Sequence, residues 1–156
     1  MTFSKVIKEE LSNQISNARH CCIAEIAAML SVCGKLMVDD VGKKTLVLQT
    51  ENITVARKYF TLVRKTFNIN TYIQIRKNMS AKRSNLYILR LEGREVERLL
   101  LTTKLSCYEL ENKELGLYTD HLVVQNTCCK RAFIRGAFLA AGSMSDPEKA
   151  YHLEIV

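Results

Sequence analysis

Apolar residues recur along this chain in two rhythms, and the rhythm changes several times. The first stretch, residues 3–16, spaces its apolar positions at the helical interval, with Ser4 placed as a candidate N-cap. Residues 20–33 repeat that spacing and stop at Gly34, a residue common just past helix ends. "LMV", the turn-like "DDVGKK" and "TLVLQT" then predict a β-hairpin. The helical interval returns over 52–67 through Val55, Tyr59, Leu62 and Val63, with Thr50 or Asn52 as its start. In "TYIQIRK" strict alternation takes over. Ile73 and Ile75 face one way, and Tyr72, Gln74 and Arg76 the other. "NLYILRL" is its partner strand across the basic loop "NMSAKRS". Glu95 to Thr102 reads as helix, 103–125 as a mixed connecting segment, 126–141 as helix, and "YHLEIV" as a final strand. Helices and adjacent-strand hairpins in this order predict an α+β fold with antiparallel sheets.

The pattern also restarts. "CCIAEIAAMLSVCG" at 21–34 is similar to "CCKRAFIRGAFLAAG" at 128–142. The Cys pairs are offset by 107 and the closing glycines by 108, so one residue is gained near the helix start in this alignment. At 108, Ala24 falls on Ala132, Ile26 on Ile134, Ala28 on Gly136, Leu30 on Phe138 and Gly34 on Gly142. Such agreement predicts an internal duplication. It also accounts for Gly136, which costs a helix about 1 kcal/mol relative to Ala. Ala24, Ala28 and Val32 form one stripe of small or compact residues, and Ala132, Gly136 and Ala140 form its counterpart. Two helices carrying such stripes are expected to pack with their backbones unusually close.

Charge changes the picture further. The net charge is +7, which favours a polyanionic partner such as nucleic acid. No apolar run approaches the roughly 18 residues of a membrane span, and the N-terminus has no signal-peptide pattern, so the expected location is the cytoplasm. The six cysteines are Cys21, Cys22, Cys33, Cys107, Cys128 and Cys129. Adjacent pairs lack the gap usual in zinc motifs, and a cytosolic chain is not expected to carry a disulfide framework. Buried reduced thiols are the expected state, with no metal and no cofactor. His20, His121 and His152 have no Ser or Cys partner by sequence pattern, and no glycine-rich phosphate loop is present, so catalytic chemistry has no visible carrier. Arg57, Lys58, Arg64 and Lys65 read as a solvated helix face, while Arg131 and Arg135 near the start of the last helix have no assigned role.

Paired helices ending in small residues and Gly, each followed by strands, resemble the LAGLIDADG homing-endonuclease fold. The motif nonamers fall on "IAAMLSVCG", Ile26 to Gly34, and "IRGAFLAAG", Ile134 to Gly142. In that family the residue before the final Gly is a metal-binding acid. Here it is Cys33 in one copy and Ala141 in the other, so the resemblance implies the scaffold without the catalysis. Asp39, Asp40, Asp146 and Glu148 lie beyond the helix ends and read as turn residues, with "SDPE" a turn signal.

A closer resemblance runs through "TFSKVIKEEL", "QTENITVARK", "RKNMSAKRSNLYILRL" and "CCKRAFIRGAFLAAGSMSDPEKAYHLEI". These segments are similar to the N-terminal half of the WhiA family. Its members are bacterial DNA-binding regulators linked to sporulation, cell division and chromosome segregation, with a degenerate LAGLIDADG domain followed by a helix-turn-helix domain. The resemblance divides the chain into an N-terminal helix (1–19), a first repeat (20–102), a connecting segment (103–125) and the start of a second repeat (126–156). It implies that the rest of that repeat, and the helix-turn-helix domain, lie beyond Val156. An incomplete second sheet is then expected to favour self-association or contact with another protein.

In the parent fold the concave face of the sheets lies along the DNA major groove. The expected outward strand residues are Gln49, Tyr72, Gln74 and Arg76, suited to base edges and backbone. Lys43, Lys44, Lys77, Lys82 and Arg83 are expected on hairpin loops, in reach of phosphates. DNA is thus the expected partner and the nucleoid the expected place of work, with no small-molecule substrate. The rival expectation is a protein-interaction module that docks a partner or the helix-turn-helix domain and does not itself bind DNA.

Overall fold

The structure, a computed structural model, describes residues 3–77, 84–110, 114–119, 124–145, 148–149 and 152–155. The helices are α1 (Phe3–Ser12), α2 (Arg19–Cys33), α3 (Ile53–Phe67), α4 (Arg94–Thr103) and α5 (Thr127–Ala141). The strands are β1 (Gly34–Val38), β2 (Lys44–Thr50), β3 (Ile73–Lys77), β4 (Asn85–Glu92), β5 (Leu105–Glu109), β6 (Glu114–Thr119), β7 (Gly142–Met144) and β8 (Leu153–Ile155). Six strands form one sheet in the order β3-β4-β2-β1-β6-β5, and β7 pairs with β8 in a second. All pairings are antiparallel.

One face of the large sheet is covered by helices. Leu36, Leu46, Leu48, Leu89, Leu91, Leu105 and Leu117 point into a core shared with α2, α3 and α4. α2 is buried nearly all round, from Cys21 through Leu30. That fits its sequence, which is apolar on every face rather than along one stripe. α3 is amphipathic and capped at both ends. Asn52 accepts a bond from the Thr54 N–H at 2.9 Å, and Asn68 closes the helix in the left-handed region at φ 56°.

Several elements differ from the sequence expectation for identifiable reasons. α1 stops at Ser12 rather than 16, because Ser12 Oγ and Asn13 Nδ2 both bond to the Glu9 carbonyl and compete with the helix ladder. Ser4 lies inside α1, and its hydroxyl bonds both to the Met144 carbonyl at 2.7 Å and to the Met144 N–H at 2.6 Å, tying α1 to β7. Segment 103–125 is no mere connector. It supplies β5 and β6, which extend the first sheet from the edge of β1. Their alternation is weak because most of β5 is exposed on the sheet's outer edge. At the opposite edge Ile75 is 59% exposed despite its place in the apolar alternation, since β3 extends past the helical cover.

Gly34 is not a left-handed stop. Its φ is −95°, and α2 runs straight into β1. The glycine is needed for space, because a Cβ there would sit 2.5 Å from the Leu30 carbonyl oxygen. Gly142 repeats the arrangement between α5 and β7, 2.7 Å from the Phe138 carbonyl oxygen.

Candidate functional site

The two motif helices meet along their length, and α2–α5 is the most extensive packing between any two elements among the described residues. Both have 15 residues, and both start and finish at an offset of 108. The single-residue gain near the helix start is therefore not present in the fold; the pseudo-equivalent of Cys128 is His20, and that of Cys129 is Cys21. Ala24, Ala28, Ala132 and Gly136 are buried, and Ala140 is half-buried. A Cβ on Gly136 would lie 2.6 Å from the Glu25 carbonyl oxygen and 3.1 Å from Ala28 Cβ. Val32 departs from its expected place in the stripe, being 39% exposed. A spacing of four drifts about 40° per step on a 3.6-residue helix, which turns the third member out.

At the C-terminal ends stand the two positions where the motif expects acids. Burial pushes the Cys33 thiol up to about 11, so it is neutral at physiological pH, and its S–H reaches the Ala140 carbonyl of the other helix at 3.9 Å. Ala141 offers only a methyl group. A thiol and a methyl form a poor seat for a hard divalent cation. Beside them opens a cleft of about 1270 Å³ between α1 and the start of α3, with Lys5, Lys8, Arg57, Cys33 and Ala140 among its walls. Burial lowers the pKa of Lys8, which lies 5.6 Å from the centre of the Phe138 ring.

Midway along the pair lies a buried ion cluster that corrects the reading of the α3 basic residues. Lys58 does not join Arg57 and Arg64 in the solvent. Its ammonium is buried, 2.8 Å from Glu25 Oε1, and donates to the Leu11 and Gln14 carbonyls at 2.6 and 2.7 Å. Burial lowers its pKa and the bond to Glu25 opposes that shift. Arg135 approaches the same carboxylate from α5, with Nε at 3.3 Å from Oε1 and a terminal nitrogen at 3.1 Å from Oε2. Arg131 is exposed. Lys65 donates to the Ser16 carbonyl at 2.6 Å. The Glu25 carboxylate joins α2, α3 and α5, and the Lys58 ammonium extends the cluster to the 11–14 segment.

The N-terminal ends of the two helices hold a second group. His20 Nδ1 lies 3.1 Å from Cys129 Sγ, 3.5 Å from Cys21 Sγ and 3.8 Å from Cys128 Sγ. The isolation expected for His20 is thus corrected, because the duplication folds distant residues together. Cys107 and Cys128 are exposed rather than buried, and all six cysteines are free. Cys22 turns away and donates to the Ser16 carbonyl at 3.3 Å. His152 lies elsewhere, 3.1 Å from Glu154, and His121 is outside the described residues.

The face of the large sheet opposite the helices is set by register. Gln49 pairs with Ile88 and Ile88 with Gln74, while Arg76 pairs with Leu86, so Gln49, Gln74 and Arg76 share that open face. Arg90, opposite Val47, lies on it too and donates to Gln74 Oε1. Lys35 is there with Glu114, 3.1 Å away, and so are Tyr108 and Tyr118, whose ring centres are 6.2 Å apart. Arg90 is legible in the alternation of "NLYILRL"; the tyrosines are hidden in a segment without clear strand rhythm.

Other expected contacts fall differently. Tyr72 precedes β3 and is 89% exposed, outside the strand. Lys77 is the last β3 residue rather than a loop residue, and its pairing with Asn85 puts it on the face opposite Arg76. Lys44 likewise opens β2, while Lys43 sits in the turn and pairs with Glu92 at 3.1 Å. Lys82 and Arg83 lie outside the described residues, as does Asp146. Among the described residues no helix is long and apolar enough to cross a membrane.

Comparison with known proteins places these features. Residues 19–106 match the WhiA N-terminal LAGLIDADG-like domain, and residues 130–156 match the WhiA LAGLIDADG-like domain. The chain is 61% identical to a probable cell division protein WhiA of Lachnoclostridium phytofermentans, aligning all of this chain with 50% of that one. It is 39% identical to the corresponding protein of Alkaliphilus oremlandii, covering 100% of this chain and 49% of that relative. The chain thus spans about half the length of the curated relatives it matches. Full-length DUF199/WhiA from Thermatoga maritima shares the fold at a TM-score of 0.65 and 23% identity, over 99% of this chain and 44% of that one. The isolated N-terminal LAGLIDADG domain of DUF199/WhiA gives a TM-score of 0.64 at 25% identity, over 99% of this chain and 65% of that one. With the paired motif helices, their glycine-to-strand exits and more than half of its length inside the family's own domain, this chain belongs to the WhiA family.

Proposed function

We propose that the chain is the non-catalytic LAGLIDADG-like part of a DNA-binding regulator that serves bacterial cell division, chromosome segregation or sporulation, and that it works on the nucleoid. The observation that carries the non-catalytic half is the pair of motif-helix ends, where a neutral Cys33 thiol and the Ala141 methyl stand in place of carboxylates. Hydrolysis of a phosphodiester by hard cations needs ligands of another kind. The DNA-binding half rests on the open sheet face, where Arg76, Arg90, Gln49 and Gln74 supply the donors and acceptors suited to a groove. The cell-division role is drawn from relatives that carry that name.

Binding across a salt series tests the reading. Arg76→Ala with Arg90→Ala is expected to weaken DNA binding and to flatten the log–log salt slope by about 0.9 for each phosphate no longer neutralised. An unchanged affinity would remove the sheet face from the interface. No cutting is expected with Mg²⁺ or Mn²⁺, and metal-dependent cleavage abolished by Cys33→Ser would overturn the non-catalytic assignment.

A second reading, a protein-docking face, is favoured by one observation. Lys35 and Lys43 are already paired with Glu114 and Glu92, and Tyr108 and Tyr118 stand half-exposed on the Lys35 side of the sheet. Tyrosine-rich faces of low net charge suit protein partners.

A further inference from the structure

We propose that His20, Cys21, Cys128 and Cys129 form a Zn²⁺ site that clamps the N-terminal ends of the two motif helices. The four donor atoms, one imidazole nitrogen and three sulfurs, all lie within 4.8 Å of one another. A tetrahedral ion with Zn–S of about 2.3 Å and Zn–N of about 2.0 Å separates S from S by about 3.8 Å and S from N by about 3.6 Å. The three distances from His20 Nδ1, at 3.1, 3.5 and 3.8 Å, bracket that spacing. Three sulfurs and one imidazole are a donor set that selects zinc over the hard cations of nuclease chemistry.

Linear spacing misses the site because the duplication builds it. Each motif helix donates the second and third residues of its first turn, His20 and Cys21 from α2, Cys128 and Cys129 from α5. At the offset of 108 these positions are equivalent, so each repeat supplies half of the coordination shell. Cys22, the other member of the first Cys pair, is not involved. The site also lies at the far end of the helix pair from the motif's acid positions, about 18 Å along α2 at 1.5 Å per residue from Cys21 to Cys33.

The electrostatics match. Zn²⁺ with three thiolates and a neutral imidazole carries a net charge of −1, the three thiol protons leaving to solvent. It would sit against two helix N-termini, each worth roughly half a positive charge. Neither helix start has a side-chain cap hydrogen bond, so no side-chain acceptor competes there with the negative charge of the site. Cys21 and Cys129 are buried while His20 and Cys128 are exposed, so the ion has a route in from solvent.

Metal analysis of the intact protein, purified under reducing conditions, tests the site. About one Zn²⁺ per chain is expected, and Co²⁺ in its place is expected to show thiolate charge-transfer bands and the intense visible bands of a tetrahedral centre. Cys129→Ser should abolish stoichiometric binding, His20→Cys should keep it and shift the cobalt spectrum toward an all-thiolate centre, and Cys107→Ser should change neither. Should Cys129→Ser fail to fold, the cobalt spectrum of the unaltered protein still decides. Absence of stoichiometric zinc together with an octahedral cobalt spectrum overturns the proposal, as does a Cys21–Cys129 or Cys21–Cys128 disulfide found in place of the ion.

Discussion

Gly136 lacks a side chain because the neighbouring helix occupies the space. The Glu25 carbonyl oxygen is 2.6 Å from where its Cβ would be, and this is backbone, not a flexible side chain that can swing aside. Gly136→Ala therefore sets two effects against each other. Helix propensity favours Ala by about 1 kcal/mol, while overpacking a tight interface costs about 1–3 kcal/mol. The expected net is destabilisation, read as a lower denaturation midpoint, with Gly136→Leu worse again. A midpoint that rises for Gly136→Ala would mean the helices separate easily. Cys33 carries a pH signature at the other end of the pair. Burial raises its thiol from 9.0 to about 11, so the folded form holds the proton more tightly than the unfolded chain. Its contribution to stability is complete below pH 9 and is lost as pH rises toward 11. Alkylation at pH 9 should accordingly modify the exposed Cys107 well before Cys33, and equal rates would contradict that burial.

Between elements, the fold is tied by one carboxylate that the sequence does not advertise. Glu25 stands as a lone acid in a largely apolar helix, and Lys58 in a basic run that reads as a solvated face. Their meeting needs α3 packed across α2, a tertiary fact that no local spacing encodes. The small stripes, by contrast, are legible, because their four-residue interval is a property of one helix. Val32 breaks the stripe because that interval drifts off a helix face. Lys58→Ala would leave Glu25 with Arg135 alone and take the ammonium from the Leu11 and Gln14 carbonyls, of which Leu11's still accepts from the Gln14 N–H. Breaking one side of a buried pair costs about 3–5 kcal/mol. Lys58→Met combined with Glu25→Met is expected to cost less than the two single changes added together, because neither partner is then left buried without the other. Additive losses in a double-mutant cycle would show that the two groups act independently.

For the molecule as a whole, the duplication is readable in the letters but its full extent is not. Helical letters repeat visibly; the third hairpin, β5–β6, is not legible, because the edge strand β5 buries too few residues to keep a strict alternation and β6 buries two adjacent ones. That hairpin sets the character of the open face, since it brings Glu114 against Lys35 and places Tyr108 beside Tyr118. The candidate interface is therefore less basic than the net charge of +7 suggests. This gives a way to separate its two possible partners. Glu114→Gln frees Lys35 without adding a side chain or changing volume much. If the face meets phosphates, removing that negative charge should tighten DNA binding at low salt and, where Lys35 then reaches a phosphate, steepen the salt slope by about 0.9. Tyr108→Ala should then matter little. If the face docks a protein, Tyr108→Ala should weaken that complex about tenfold or more, as truncating a buried aromatic anchor does. Glu114→Gln should leave DNA binding unchanged. Parallel titrations of the two variants distinguish these outcomes, because one change acts through charge and salt and the other through apolar area that salt does not screen.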